Sequence, residues 1–298
     1  MVKVFNAAWR KSHRFKRNIF IRKQYGGAMN DKPIGIFDSG LGGLTAVRAL
    51  RRLMPEENII YFGDTGRMPY GGRSREQIRE IAAQNVAFVE GAGVKAILAA
   101  CGTISSNARD MLEGNRIKAI GVMRPGAEEL AATGCRRLGV IATATSIESG
   151  AFSRELASLR PDAEIFPLAC PDFVPMIESG HFAASDPLTA EVVSRTLRPL
   201  KEAGVEALLL GCTHYGIIAD AIRAYLGEGV KLVAAADAAA RAMRRYLAES
   251  GMQAESGGAE EYFTSGRPED FSRLAPLMLG RPLNGAVRYI EPFPLKEK

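Results

Sequence analysis

The chain has 298 residues, 47% hydrophobic and 24% charged, which is the composition of a globular protein with room for two domains. No apolar run is long enough to cross a bilayer, so the composition excludes a transmembrane helix. The net charge of +6 does not predict a nucleic-acid partner, because residues 1–28 hold eight lysines and arginines and no acid. The rest of the chain carries 31 basic against 33 acidic residues.

Residues 1–28 have no apolar stretch typical of a secretory signal, and we interpret them as a basic, unstructured extension. A basic arm for nucleic acid or a membrane surface is the alternative. The four cysteines of the chain form no C-x-x-C pair, which argues against dithiol redox chemistry and structural zinc. With no signal sequence, the expected location is the reducing cytoplasm.

From Pro33 onward, short apolar strands alternate with longer amphipathic helices. The first half contains, in order, the strand IGIFDSG, the helix LTAVRALRRLM, the strand NIIYFGD, the helix SREQIREIAAQNVAFVEGAG and the strand KAILAAC. This alternation predicts a parallel sheet with helices on both faces.

After the segment IKAIGVM the pattern starts again. LGVIATATS resembles the first strand, AEIFPLAC supplies the next one, and the helix AEVVSRTLRPLKEAG leads to EALLLGC. We therefore predict an α/β fold of two similar doubly wound parallel-sheet domains that face one another across an active-site cleft. The predicted domains are residues 29–125 together with 233–298, and residues 126–232 inserted between them.

Two of the cysteines, Cys101 and Cys212, each end an apolar strand. Ligands of open parallel sheets bind at the carboxyl ends of the strands, so two facing domains would place these thiols on opposite walls of one cleft. His214 follows Cys212 by two residues, which in an extended segment puts both side chains on one side. Such a neighbour draws the thiol proton and favours the thiolate.

Two further loops follow predicted strands of the first half. Asp38 ends the first strand, and the glycines after it form a turn whose backbone N–H groups reach a ligand at the start of the helix from Leu44. The loop GDTGRMPYGGRS contributes Tyr70 and Gly71. An ordinary connection between strand and helix is the alternative for this second loop.

Several segments together resemble the glutamate racemases in order and spacing: GIFDSGLGGLT, YFGDTGRMPYGGRS, AACGT, ACPDFVPMIESG, LLLGCTHY and EYFTSGRPEDFSRLAPLMLG. The resemblance covers the chain from about Pro33 to its end. It implies an isomerase without cofactor or metal that exchanges the α-proton of glutamate between two cysteines, one as thiolate base and the other as thiol acid. It also implies D-glutamate supply for peptidoglycan synthesis.

The resemblance also implies the roles of individual residues. Asp38 would assist Cys101, while His214 and Glu178 would assist Cys212. Without the resemblance, Glu178 would be interpreted as a solvated surface acid. The implied substrate-binding residues are Asp38, Ser39, Tyr70, Gly71, Gly102, Thr103, Thr213 and His214. Cys135 and Cys170 match no catalytic position.

The chain departs from the family pattern at three places. Gly102 stands where the family commonly has Asn, Gly216 where it has Pro, and Ala238 follows Asp237 where a Ser is usual. The change at Gly102 predicts altered binding and keeps open a racemase of aspartate or another small acid. The same residues would also suit a two-lobed binding protein without turnover, or a zinc protein using both cysteines and His214. A homodimer is expected only because dimers are the commonest symmetric assembly.

Overall fold

The computed structural model describes residues 28–292 and 294–295. The basic extension expected at residues 1–28 lies outside this part of the chain except for Ala28, and it stays a prediction. Within the described residues no helix is both long and apolar enough to cross a membrane.

The strands are all parallel to their neighbours, and each belongs to one of two sheets. Along the described chain they are Ile34–Asp38 (β1), Ile59–Gly63 (β2), Ala96–Ala99 (β3), Ala119–Gly121 (β4), Arg137–Ala142 (β5), Glu164–Ala169 (β6), Ala207–Leu210 (β7), Lys231–Ala234 (β8), Glu260–Thr264 (β9) and Val287–Tyr289 (β10).

The helices alternate with these strands as the sequence predicts. They are Leu44–Leu53 (α1), Arg75–Gly91 (α2), Gly102–Asn107 (α3), Arg109–Glu113 (α4), Met123–Ala132 (α5), Ala144–Glu148 (α6), Ala151–Leu159 (α7), Phe173–Glu178 (α8), Pro187–Glu202 (α9), Ala219–Leu226 (α10), Ala235–Glu249 (α11) and Pro268–Leu279 (α12). Two 3₁₀ turns span Thr65–Arg67 and Thr213–Ile218.

The two sheets repeat one topology. The first has the strand order β10-β9-β2-β1-β3-β4, and the second has β6-β5-β7-β8. Each therefore contains the order second-first-third-fourth, with β9 and β10 extending the first sheet. In this order the connections from the first and third strands leave in opposite directions, which opens a crevice at their carboxyl ends. The prediction of two similar doubly wound sheets is confirmed.

Local sequence explains the central elements. Every residue of β1, β3 and β7 is buried, as parallel strands covered on both faces require. Helix α2 begins at a capping box in which Ser74 and Gln77 satisfy each other's backbone N–H groups. Arg51 and Arg52 lie in the last turn of α1, where they complement the helix dipole.

The chain changes sheet twice. It leaves the first sheet after β4 and returns after β8, which pairs with β7 of the second sheet. The predicted boundary between residues 232 and 233 falls inside β8, and the domain limits stay a proposal. Helix α11 contacts both α1 and α5, so one hydrophobic core runs from the first sheet into the second.

Candidate active site

The tips of β3 and β7 bring the two predicted cysteines to one buried place. Cys101 is 3% exposed and Cys212 is 9% exposed. The charge of Cys212 contributes to raising the pKa of Cys101, so the two thiols lie within electrostatic reach of each other. The backbone of Gly102 packs directly against Gly211 of the second sheet. The carboxyl edges of the two sheets therefore face each other, and their interface contains both thiols.

The surroundings of Cys101 favour its protonated form. Burial, followed by the negative charge of Asp38, raises the pKa of Cys101 to about 12, and hydrogen bonds from Ile104 and Ser39 oppose this less strongly. At neutral pH this residue is therefore a thiol and a candidate proton donor.

Asp38 is buried between the two cysteine environments. One carboxylate oxygen accepts a hydrogen bond of 2.8 Å from the N–H of Gly43, and the Ser39 hydroxyl is 3.4 Å from the other oxygen. Burial raises the pKa of Asp38, while the charge of His214 and the Gly43 N–H lower it. The Gly43 N–H, expected to reach a ligand, thus binds the chain's own carboxylate at the start of α1.

Cys212 lies beside an imidazole that is itself paired with a carboxylate. His214 Nδ1 lies 3.8 Å from the Cys212 Sγ, and His214 Nε2 lies 3.0 Å from Glu178 Oε1. Burial lowers the pKa of His214, but its hydrogen bonds to Cys212 and Glu178 and their charges outweigh burial and raise it to about 10. The resulting imidazolium lies between the Cys212 sulfur and the Glu178 carboxylate.

Cys212 and His214 are close, as predicted, but the predicted cause of their closeness is wrong. Residues Thr213–Ile218 form a 3₁₀ turn, not an extended segment, and the N–H of Tyr215 closes it on the Cys212 carbonyl at 3.0 Å. The turn folds the imidazole back towards the thiol. Interpreting Glu178 as a solvated acid is also wrong, since its side chain is 19% exposed and paired with His214.

The predicted substrate-binding residues differ in what their side chains contact. Thr103 Oγ1 lies 3.1 Å from Thr143 Oγ1 across the interface of the two sheets. The carbonyl of Thr213 accepts a hydrogen bond of 3.1 Å from the Thr45 hydroxyl. These two contacts join the halves of the protein that carry the two sheets.

The loop after β2 presents backbone to the second sheet. The Gly71 carbonyl accepts a hydrogen bond from Thr145. The Tyr70 hydroxyl donates to buried Asp64 and accepts from Asn85 at 3.2 Å. The side chain of Tyr70 is therefore part of the core below the loop, and only its backbone remains for a substrate.

The described residues contain no group of three or more His, Cys, Asp or Glu side chains placed to hold a metal ion. The zinc hypothesis needs Cys101, Cys212 and His214 as ligands of one ion. It therefore has no preformed site in this part of the chain.

Comparison with known proteins decides the family. Residues 45–243 match the family of Asp/Glu/hydantoin racemases. The glutamate racemase of Thermoanaerobacter pseudethanolicus is 37% identical over 265 residues, which is 87% of this chain and 97% of that protein. The chain belongs to the Asp/Glu/hydantoin racemase family.

Solved racemases of this family share the fold. The glutamate racemase of Francisella tularensis, in complex with D-glutamate, has a TM-score of 0.80 and 34% identity, covering 88% of this chain and 97% of its own. The Thermus thermophilus glutamate racemase, in complex with β-chloro-D-alanine, has a TM-score of 0.79 and 40% identity with the same coverage. The resemblance to glutamate racemases found in the sequence is confirmed.

Thr143 and Ser146 of this racemase are absent from the predicted site residues. Thr143 follows β5, contacts Thr103 and lies 2.8 Å from the Ser146 hydroxyl. The signal was available, because LGVIATATS was matched to IGIFDSG. Residue-by-residue alignment of the two strands places Thr143 opposite Ser39 of the first sheet.

Two departures of this racemase from the family pattern leave the predicted bases in place. Gly216 lies in the 3₁₀ turn with open space where a Cβ would be. Asp237, in the first turn of α11, accepts a hydrogen bond of 2.8 Å from Arg52. Neither removes a group from the interface that holds the thiols.

Proposed function

We propose that this protein is a glutamate racemase that moves the α-proton of glutamate between Cys101 and Cys212 without a cofactor. The observation that carries the proposal is the pair of thiols at one interface in opposite electrostatic surroundings. Inversion at a carbon atom needs a base on one face and an acid on the other. A buried thiol beside a carboxylate and a second thiol beside an imidazolium supply those two states.

In the proposed reaction the Cys212 thiolate removes the α-proton, and its sulfur becomes a thiol. The electron pair left on Cα accepts the Cys101 proton from the opposite face, so Cys101 becomes the thiolate. The reverse reaction exchanges the roles. The His214 imidazolium stabilises the Cys212 thiolate before the transfer, and Glu178 holds the imidazole in place.

The intermediate has no electron sink, so the protein must supply stabilisation by other means. Both cysteines are buried, so fixed N–H and hydroxyl dipoles beside them act in a low dielectric. We expect the substrate carboxylates to be bound at this interface. The groups proposed to bind them are the backbone and hydroxyl groups of Thr103 and Thr213, together with Ser39 and the Gly71 backbone.

The testing experiment follows proton exchange at Cα in D2O, with purified protein and L- or D-glutamate and no added cofactor. Deuterium should enter the product enantiomer first, as measured by proton NMR and circular dichroism. Cys101→Ala and Cys212→Ala should each lower the rate by roughly 100- to 10,000-fold, the usual contribution of an acid–base group.

Cys135→Ala is the matched control, because Cys135 is a free cysteine outside the interface. Its thiol donates to the Thr133 carbonyl at 3.9 Å. Equal losses in all three variants would contradict the assignment. Exchange with aspartate but not glutamate would favour an aspartate racemase. Bound glutamate without exchange at Cα would identify a binding protein.

We further propose that the D-glutamate formed serves peptidoglycan synthesis, which the family resemblance implies. The gene should then support growth without D-glutamate in a bacterium lacking its own glutamate racemase. The proposed thiol chemistry needs a reducing compartment, which supports a cytoplasmic location. A homodimer is proposed as well, and light scattering of the purified protein tests it.

A further inference from the structure

Gly42 lies in the turn between β1 and α1, where its Cα faces the His214 ring of the second half. A Cβ atom on Gly42 would overlap His214 Nδ1 and would be 2.5 Å from Cε1 of the same ring. It would also be 2.7 Å from the Thr213 hydroxyl oxygen, and real Cβ atoms essentially never show separations under 3.0 Å. The absence of a side chain therefore lets the imidazole lie directly against the main chain of the first half.

The His214 ring has little freedom to move away from this contact. The residue is 5% exposed, and its Nε2 lies 3.0 Å from Glu178 Oε1. Its Nδ1, which a Gly42 Cβ would meet, is the atom that lies 3.8 Å from the Cys212 Sγ. A side chain at position 42 would therefore displace the nitrogen that contacts the thiol.

Thr45 ties the two sides of this contact together. Its buried hydroxyl is shared between two acceptors, the Gly42 carbonyl at 2.7 Å and the Thr213 carbonyl at 3.1 Å. Its N–H also donates to the Gly42 carbonyl at 3.0 Å. Gly42 and Thr45 belong to the first half, whereas Thr213 belongs to the second. The turn that begins α1 is thereby held against the turn that carries His214.

We propose that Gly42 and Thr45 are positioning residues that hold the His214 imidazole beside Cys212. The inference rests on the proposed racemase function and adds which part of the first half fixes the Cys212–His214 pair of the second. Gly42 supplies the surface against which the ring lies, and Thr45 fixes that surface to the Thr213 carbonyl. Neither residue takes or gives a proton, and each acts through His214.

The pKa of His214 reports this placement. Within the described residues, the charged and titratable groups that face the ring are Cys212 in its own turn, Glu178 from α8 and Asp38 from β1. Burial lowers the pKa of His214, but the contacts with Cys212 and Glu178 outweigh burial and raise it to about 10. Displacement of the ring weakens these contacts while burial remains, so the pKa should fall.

Gly42→Ala tests this inference, with Gly216→Ala as the matched control. Gly216 lies in the same 3₁₀ turn as His214, and its Cβ position has no atom within 4 Å. Gly42→Ala should lower kcat by roughly 100-fold, as misplacement of a catalytic group by about 1 Å can do. The alkaline limb of its kcat/KM profile should move to lower pH, while Gly216→Ala should match the parent chain. A limb that stays in place in Gly42→Ala would overturn the inference.

Thr45→Val and Thr45→Ser test the second contact without adding bulk. Valine has nearly the shape of threonine but lacks the hydroxyl, whereas serine keeps it. Thr45→Val should lower kcat by roughly 10-fold, and Thr45→Ser should recover most of that loss. Equal losses in the two variants would overturn the role of Thr45, because the hydroxyl would then not be what holds the turn.

A readout by NMR needs no turnover. Titration of the His214 ring protons, assigned by their loss in His214→Asn, should give a lower pKa in Gly42→Ala than in the parent chain. Partial unfolding removes signal from the folded protein but does not shift this pKa, so an unchanged value would overturn the inference. A lowered pKa in Gly42→Ala, when the parent chain does not racemise glutamate, would support the positioning of His214 and overturn the proposed function instead.

Discussion

At the scale of single residues, the two cysteines have the same chemistry and opposite surroundings. Cys101 is buried beside Asp38, which disfavours a second negative charge. Cys212 has the His214 ring 3.8 Å away, backed by Glu178. Cys101 therefore has an anionic neighbour, whereas Cys212 has a cationic one.

The raised pKa of His214 predicts the pH dependence of both activity and stability. The pKa of His214 is raised from 6.5 to about 10, so its proton stabilises the folded state. That stabilisation is complete below pH 6.5 and is lost as the pH rises through 10. Activity should fall over the same alkaline range, because the thiolate loses its imidazolium partner.

Glu178→Gln removes one of the charges that raise the His214 pKa, so the alkaline limb of the kcat/KM profile should move to lower pH. The protein offers a matched control in His181, whose Nδ1 lies 2.7 Å from Asp186 Oδ2 in a more exposed place. Asp186→Asn should leave the limb in place while keeping the helix cap at α9. An alkaline limb that does not move in Glu178→Gln would contradict the role of this carboxylate.

At the scale of elements, the loop after β2 is held from below by a buried polar network. Asp64 accepts hydrogen bonds from Tyr70, from Arg67 Nε at 2.7 Å and from Ser265 at 2.6 Å. Ser265 follows β9, and Asn85 of α2 reaches the Tyr70 hydroxyl. The network therefore joins three elements and fixes the loop that carries Gly71.

Tyr70→Phe should lower the free energy of unfolding by about 1–3 kcal/mol, because it leaves buried Asp64 and Asn85 each without one partner. Urea unfolding of the variant measures the loss. Tyr289→Phe is the control, since Tyr289 on β10 is 55% exposed. Equal stability of the two variants would show that the network contributes nothing to holding the loop.

At the scale of the whole molecule, a buried ion pair connects segments that are distant in sequence. Lys95 Nζ lies 2.5 Å from Glu57 Oε2 and donates to the carbonyls of Asn30 and Met252 at 2.6 and 2.8 Å. Glu57 also accepts from the Ala254 N–H at 2.9 Å. The pair thus ties the chain before β1 and the chain after α11 to the base of the first sheet.

Lys95→Met should lower the free energy of unfolding by about 3–5 kcal/mol, because it leaves the Glu57 carboxylate buried without its cation. The double variant Lys95→Met/Glu57→Met should recover part of this loss, since neither charge then remains. Denaturant unfolding of both variants measures the difference. A double variant no more stable than Lys95→Met would show that the buried charge is not the source of the loss.

The local pattern of the sequence predicted the architecture well. Buried parallel strands such as KAILAAC and EALLLGC are short apolar runs bounded by glycine. In helices such as LTAVRALRRLM, the apolar residues recur at helical spacing. Both signals depend on neighbours within a few residues. The positions of Asp38, Cys101 and Cys212 at strand ends followed from the same local pattern, because parallel strands bring their carboxyl ends to one edge.

The sequence by itself therefore determined two parallel sheets, their alternating helices and the thiols at their tips. Only the tertiary structure decided that Glu178 pairs with His214, that the Tyr70 hydroxyl belongs to the core, and that Gly102 meets Gly211. Burial and charge at each of these groups come from residues far away in the chain. The pKa values and contacts that they set therefore have no local signature in the sequence.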